Sequence, residues 1–295
     1  MRKYLILIAL TFLTTLSLVG CAGGAEDGNG DGENKGTIII GLNNWAENIA
    51  VSNMWKVILE EKGYTVNLKA MEKSPVWAGI ARKDLDLAPE VWLPTTDKPL
   101  YEEYKDKIEL HETWYKGTGL GLVVPKYMDI NSIEELNAKK EQLGITEIVG
   151  IDPGASLMKL TRDAVKEYKL DYELIESSGP AMMSELQSAY KNEEPIVVTL
   201  WNPHWAFAEY ELKYLEDPKK VYGEPDDIYF MTRKGFGDDF PEVLKWMNNW
   251  KMDDKSLGTL MAVIKESGDP AEGAKQWIED NQELVDKWTQ SDEEK

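Results

Sequence analysis

The sequence predicts an α/β protein of two lobes, and two observations support this. Short apolar, β-branched runs alternate with helical patterns from Thr37 onward, which predicts βαβ units around mostly parallel sheets. The alternation then restarts after "KGTGLGLVVPKYM" (116–128), whose glycines suit a connection between two bodies. From Thr37 to about Trp288 the chain has roughly 250 residues, which is enough for two α/β lobes.

Three strands and two helices are predicted for the first lobe. The strands are 37–42, 64–71 and 85–94, and the helices run from Asn48 to about Lys62 and from the region of Pro75. Their order is strand, helix, strand, helix, strand, which is the order of a parallel sheet with crossover helices.

The second lobe is predicted from the same signals. Two buried strands are expected at 147–154 and 195–201, and two helices at 156–168 and 180–191. Ser132 and Glu135 have the spacing of a capping box, so a further helix is expected to start there.

The C-terminal part is long and amphipathic and offers no sheet of its own, so we expect it to pack back on the first lobe. The predicted boundaries are therefore 37–118 together with about 230–295 for the first lobe, and about 119–229 for the second.

The N-terminus predicts export. Arg2 and Lys3 precede an apolar run that ends in "LVGC", which is typical of a signal peptide over residues 1–20. The run ending in Cys21 resembles a bacterial lipobox, which implies lipidation of Cys21 and anchoring at the outer face of the cytoplasmic membrane. Residues 21–36 are rich in glycine and acidic side chains and are interpreted as a flexible tether.

Composition argues against several classes of function. A net charge of −20 disfavours binding to nucleic acid or to anionic lipid. No Gly-x-Ser-x-Gly elbow or Cys–His pair is present, and the chain has only two histidines and one cysteine. We therefore predict no enzyme activity, no metal and no cofactor.

Tryptophan is the unusual residue, with 11 copies against five phenylalanines. Trp45, Trp92 and Trp201 each lie at or just past the end of a predicted strand, where the ligands of parallel sheets bind. A quaternary ammonium group has no N–H to donate, but aromatic faces attract it through the ring quadrupole. The three indoles therefore predict a cage for a methylated ammonium.

A second feature of the strand ends predicts an anion site. The turn from Asp152 to Leu157 opens a helix and presents backbone N–H groups, which suit a carboxylate. A cation cage beside an anion site favours a small zwitterion.

The remaining tryptophans are interpreted differently. Six lie inside helical patterns and are assigned to packing: Trp55, Trp77, Trp246, Trp250, Trp277 and Trp288. Trp205 is expected to pack beneath the loop and orient Trp201, whereas Trp114, near the presumed lobe junction, is consistent with packing or binding.

The lipobox, the two-lobe pattern, "GIDPGASLMKL" and "WNPHWAF…YELKYLEDPK" resemble the substrate-binding lipoproteins of glycine betaine ABC importers. The resemblance implies a type II periplasmic-binding-protein fold with a hinge between the lobes and a ligand in the cleft. It also implies a membrane permease and ATPase subunits as partners. It places the cage at Trp45, Trp92 and Trp201, and the carboxylate contacts at the backbone amides of Ser156 and Leu157.

Three further positions are candidate ligand contacts. Asp97 stands where some relatives have a histidine that holds the ligand carboxylate, and Glu47 stands where choline-binding relatives have an acidic residue. His204 is the third, although a hydrogen bond that fixes its loop is the favoured interpretation. Glycine betaine is the first expected ligand, with choline or carnitine as the alternative.

Overall fold

The computed structural model describes residues 34–290, which form two five-stranded sheets flanked by helices. The predicted signal peptide, Cys21 and nearly all of the predicted tether lie outside the described residues.

The strands of this range, in chain order, are β1 (Thr37–Leu42), β2 (Thr65–Ala70), β3 (Leu87–Leu93), β4 (Ile108–Lys116), β5 (Gly119–Pro125), β6 (Glu147–Val149), β7 (Glu173–Ile175), β8 (Val198–Asn202), β9 (Leu212–Tyr214) and β10 (Asp227–Arg233). The helices are α1 (Ala46–Glu61), α2 (Lys73–Arg82), α3 (Lys98–Tyr104), α4 (Leu136–Leu143), α5 (Ser156–Glu167), α6 (Gly179–Lys191), α7 (Ala206–Glu209), α8 (Phe236–Asp239), α9 (Pro241–Asn249), α10 (Asp254–Ser267), α11 (Pro270–Asp280) and α12 (Gln282–Thr289).

Both sheets are mixed. The first has the order β2-β1-β3-β10-β4 and the second β7-β6-β8-β5-β9. In the first sheet β1 is parallel to β2 and β3, and β10 is antiparallel to β3 and β4. In the second, β6 is parallel to β7 and β8, and β5 is antiparallel to β8 and β9. The two-lobed α/β prediction is confirmed, but the expectation of mostly parallel sheets was wrong, because each sheet adds two strands through antiparallel pairing.

The chain crosses between the sheets twice, at 117–118 and at 215–226. The two crossovers are hydrogen bonded to each other: Thr118 N donates to Asp226 O at 2.8 Å, and Asp226 N donates to Thr118 Oγ1 at 3.1 Å. We call the first sheet with its flanking helices the first lobe, and the second sheet with the helices between β5 and β9 the second lobe.

The C-terminal part returns to the first sheet, because β10 lies between β3 and β4 and α11 packs on α1. Five strands were not predicted from the sequence: β4, β5, β7, β9 and β10. The helix expected at Ser132 begins as a short 3-10 turn, in which Ser132 Oγ accepts from Glu134 N. The carboxylate of Glu135 accepts from Asn131 N at 3.3 Å.

The core of the first lobe contains a group of stacked tryptophans. Trp114 stacks on Trp250 with ring centroids 4.2 Å apart, and Trp55 meets Trp250 edge to face at 5.6 Å. The indole N–H of Trp114 donates to Pro89 O at 2.6 Å, so Trp114 is a packing residue. Between residues 34 and 290, no helix combines the length and apolar character needed to cross a membrane.

Trp250→Ala is expected to destabilise the protein by about 3–5 kcal/mol, because it removes a buried ring that contacts two other tryptophans. Urea unfolding measures the change. Met71→Ala, at an exposed site, is the control and should change the free energy of unfolding by less than about 0.5 kcal/mol. Equal effects of the two substitutions would contradict the packing role of Trp250.

Candidate functional site

The three strand-end tryptophans lie in one cavity between the lobes. Trp45 precedes α1 just after β1, Trp92 lies near the end of β3, and Trp201 lies near the end of β8 in the second lobe. The cavity holds about 320 Å³ of space between atoms, part of it open to solvent. Its lining side chains are Trp45, Glu47, Lys73, Trp92, Thr96, Asp97, Leu120, Ile151, Ala155, Ser156, Leu157 and Trp201.

Trp45 contacts the second lobe directly. Its ring lies 6.2 Å from that of Trp201, at an interplanar angle of 59°. Its indole N–H donates to Asp152 Oδ1 at 2.8 Å, so Asp152, which follows β6, orients a ring of the opposite lobe. This role of Asp152 was not predicted from the sequence.

The second lobe contributes the N-terminus of α5 to the cavity. The helix begins at Ser156, with Ala155 extended at the N-cap position, and no side chain caps it. The N–H groups of the first helical turn lack partners within the helix, and the helix dipole adds partial positive charge there. Ser156 and Leu157 line the cavity at this helix end.

Asp97 is the centre of a hydrogen-bond network. Its Oδ2 accepts from Lys73 Nζ at 2.7 Å and from Trp92 N at 2.8 Å, and its Oδ1 accepts from Ser156 Oγ at 3.1 Å. Asp97 is fully buried and Lys73 is 2 % exposed. The Asp97 carboxylate is therefore compensated inside the protein.

Lys73 was missed by the sequence analysis. It follows β2, so the strand-end criterion that selected the tryptophans would have selected it too, had it been applied to this strand. The Lys73 ammonium also lies 5.1 Å from the ring centroid of Trp45 and 3.4 Å from the backbone carbonyl oxygen of Glu90.

Glu47 and Glu90 are two further buried carboxyl groups beside the cavity. Glu47 is fully buried and Glu90 is 2 % exposed, and none of their four carboxyl oxygens has a hydrogen bond of normal geometry within the described residues. Burial, followed by repulsion from Glu90, raises the pKa of Glu47 well above its ordinary value. Burial also raises the pKa of Glu90 to about 7, against the opposing attraction of Lys73.

Glu90 was also missed, although it is a charged residue inside the apolar run "LDLAPEVWLP". The indoles of Trp201 and Trp92 lie close enough to lower the pKa of Glu47 and Glu90 respectively, a smaller effect than burial.

His204 lies behind the cavity rather than in its lining. Its Nδ1 accepts from Ala206 N at 3.1 Å, and its ring meets that of Trp201 edge to face at 4.9 Å. Burial lowers the pKa of His204 to about 3, so the ring is neutral at physiological pH. His204 thus contacts Trp201, and its ring also lies 5.2 Å from that of Trp205. Among residues 34–290, no group of three or more His, Cys, Asp or Glu is placed to hold a metal ion.

Lys73→Met is expected to destabilise the protein by about 3–5 kcal/mol, because Asp97 then remains buried without its counter-charge. Lys73→Met combined with Asp97→Asn should cost less than the sum of the single changes, which urea unfolding of all three variants measures. Lys126→Met removes a pair with Glu211 whose side chains are 56 % and 74 % exposed, and should cost less than about 1 kcal/mol. Additive effects of Lys73→Met and Asp97→Asn would contradict a coupled pair.

Glu90→Gln is expected to change how stability depends on pH. Because the folded-state pKa of Glu90 is raised from 4.5 to about 7, the folded state binds more protons than the unfolded state between these values. Stability contributed by the protonated group is present below about pH 4.5 and is lost as pH rises through 7.

The variant should therefore match the wild type near pH 5 and exceed it at pH 8 by on the order of 1–3 kcal/mol in the free energy of unfolding. Glu279→Gln, at an exposed position of α11, is the control and should follow the wild type at both pH values. A constant difference between Glu90→Gln and wild type from pH 5 to pH 8 would count against the raised pKa.

Comparison with solved structures finds similar proteins over most of the chain. Lactococcal OpuAC in its closed-liganded conformation complexed with glycine betaine matches with a TM-score of 0.79 and 34 % identity, covering 86 % of this chain and 99 % of that one. The glycine/betaine/L-proline-binding protein ProX of Borrelia burgdorferi matches with a TM-score of 0.81 and 33 % identity, covering 86 % and 97 %. An ABC-transporter choline binding protein in complex with choline matches with a TM-score of 0.78 and 25 % identity, covering 85 % and 91 %.

A curated relative is the glycine betaine/carnitine transport binding protein GbuC of Listeria monocytogenes, 43 % identical over 159 residues. That match spans 52 % of this chain and 53 % of the relative, about half the length of each. Residues 36–280 match the family described as the substrate binding domain of ABC-type glycine betaine transport systems, a family of transport binding proteins rather than of enzymes. The chain belongs to this family.

Proposed function

We propose that this protein captures glycine betaine, or a closely related quaternary ammonium osmolyte, in the cavity between its lobes and delivers it to the permease of an ABC importer. The observation that carries the proposal is that three indoles from both lobes and the N-terminus of α5 line the same cavity.

The indoles provide the site for the ammonium. Trp45 and Trp92 belong to the first lobe and Trp201 to the second, so the lobes must come together for all three rings to contact one cation. Each desolvated cation–π contact contributes about 0.5–2 kcal/mol. Closure of the lobes is therefore favoured by the ligand, because neither lobe has the complete cage.

The start of α5 provides the site for the carboxylate. The backbone amides of Ser156 and Leu157 and the positive end of the helix dipole favour an anion at this position. Asp97 does not compete for those donors, since its oxygens accept from Lys73, from the Ser156 hydroxyl and from Trp92 N. A ligand with both a methylated ammonium and a carboxylate uses both ends of the cavity.

Choline is the second candidate, because of Glu47. Its buried carboxyl group lines the cavity and has no hydrogen bond of normal geometry in the described residues, and it suits a cation that lacks a carboxylate. The choline-binding structure that resembles this chain, and the glycine betaine/carnitine relative, make choline and carnitine the ligands to compare with glycine betaine. His204 acts through Trp201 rather than on the ligand.

The cellular context follows from the same proposal. Lipidation at Cys21 holds the protein at the outer face of the cytoplasmic membrane, where the permease with its ATPase subunits receives the ligand. The first lobe, residues 37–118 with about 230–295, moves relative to the second lobe, residues about 119–229. The two hydrogen-bonded crossovers act as the hinge between them.

Isothermal titration with glycine betaine, proline betaine, carnitine and choline tests the function. At least one of these compounds should bind at a single site of the protein, and glycine betaine is expected to bind most tightly. Trp201→Ala should weaken that binding by on the order of 1–3 kcal/mol, because one wall of the cage is lost.

Trp205→Ala is the matched control, since Trp205 lies in the same loop but outside the cavity lining. It should change affinity by less than about 0.5 kcal/mol. Equal losses for the two variants would indicate collapse of the loop instead of loss of a ring contact. No binding of any of the four compounds would refute the proposed function.

A further inference from the structure

Glu47 and Glu90, which we call the glutamate pair, are not needed to hold a zwitterion. Glu47 lies on α1 and lines the cavity, while Glu90 lies on β3 behind it. Both are at least 98 % buried, and their oxygens have no hydrogen bond of normal geometry among the described residues. Two unpaired charges at such a place are costly, so the pair retains at least one proton when the cavity holds no cation.

The charges around the pair compensate it only in part, through the attraction of Lys73. On α2, the Lys73 ammonium is bound by Asp97, which follows β3. From the second lobe, Asp152 adds a further negative charge and accepts the indole N–H of Trp45. His204, behind Trp201, is neutral, and Glu72 beside Asp152 is acidic. The sum of these groups leaves a cation as the missing partner of the glutamate pair.

We propose that the glutamate pair carries an exchangeable proton that adjusts the cavity to the net charge of its ligand. The proton is kept when a zwitterion binds and is released to solvent when a cation without a carboxylate binds. The inference rests on the proposed function, because it uses the same cavity, and it makes Glu90 a residue that sets specificity without touching the ligand.

The physical reason is the location of the two ligand charges. A methylated ammonium among the indoles lies next to Glu47, and a nearby positive charge favours the ionised form of a carboxyl group. A zwitterion also brings its own carboxylate, which offsets much of that field. A bare cation has no such offset, so its binding favours loss of the proton.

Proton release makes affinity depend on pH. If one proton leaves on binding, the association constant rises up to about tenfold per pH unit below the pKa of the pair and levels off above it. Since burial raises the pKa of Glu90 to about 7, this change falls between pH 6 and 8. The affinity for choline should therefore rise relative to the affinity for glycine betaine as pH rises through this range.

Calorimetry of the wild-type protein counts the protons. Binding is measured at pH 6, 7 and 8 in two buffers of different ionisation enthalpy, with glycine betaine, choline and tetramethylammonium as ligands. We expect release of about half a proton per choline at pH 7, where a group with a pKa of about 7 is half protonated, and close to none per glycine betaine. Tetramethylammonium has no hydroxyl group, so its release of protons separates the effect of charge from that of a hydrogen bond.

Two variants assign the proton. Glu90→Gln removes the group whose pKa is about 7 and also the repulsion that, after burial, raises the pKa of Glu47, so proton release on choline binding should fall by at least half and the pH dependence should flatten. Glu47→Gln should weaken choline binding at pH 8 more than at pH 6. Glu279→Gln, at an exposed position, should behave as the wild type. Near-UV circular dichroism checks that each variant is folded. If a variant does not fold, the proton count of the wild-type protein still tests the inference.

Three results would overturn the inference: equal proton counts for choline and glycine betaine, a choline affinity that is too weak to measure at every pH, or an unchanged pH dependence in folded Glu90→Gln. In each of these cases binding of glycine betaine would leave the proposed function standing. If none of the ligands binds, the proposed function itself fails.

Discussion

The buried ion pair of Lys73 and Asp97 is the contact on which the organisation of the cavity depends. Asp97 collects donors from three different elements: the backbone of β3 at Trp92, the ammonium at the start of α2, and the Ser156 hydroxyl at the start of α5. One carboxylate thus holds a cavity tryptophan, a buried cation and the helix end of the opposite lobe. Its burial requires the lysine, because a lone carboxylate at this depth is strongly unfavourable.

Each lobe also provides hydrogen-bond acceptors for polar groups of the other lobe. Asp152 from the second lobe accepts the indole N–H of Trp45, and Asp97 from the first lobe accepts the hydroxyl of Ser156. Each of these bonds joins a residue that follows a strand to the region where a helix begins in the opposite lobe. The geometry of the cavity is therefore a property of the two lobes together, and neither sheet alone determines it.

The sequence was sufficient to predict those cavity residues that lie at the ends of strands. Trp45, Trp92, Trp201 and the turn before α5 were found because apolar runs mark the strands and the carboxyl edge of a parallel sheet is where loops converge. Lys73 was missed because its pairing with Asp97 depends on tertiary contacts that no local pattern encodes. For Glu90 the local signal existed, a carboxyl group within a buried strand, but its meaning depends on the neighbouring Glu47.

The topology was predictable to a similar degree. Two α/β lobes follow from the alternation of strands and helices, whereas the place of β10 between β3 and β4 does not, since an antiparallel strand that arrives from about 110 residues away in the chain leaves no local trace. The short strands β7 and β9, of three residues each, are below the length at which a period of two can be recognised.

The second crossover has a mechanical consequence. The Asp226 carboxylate accepts from Thr95 N at 2.5 Å and from Thr96 N at 2.9 Å, which ties the loop of Asp97 to the point where the chain passes between the lobes. A part of the structure near a pivot has a short lever arm and moves little when the bodies rotate. In the closure proposed above, the wall formed by Trp92 and Asp97 is therefore expected to move little relative to the crossovers.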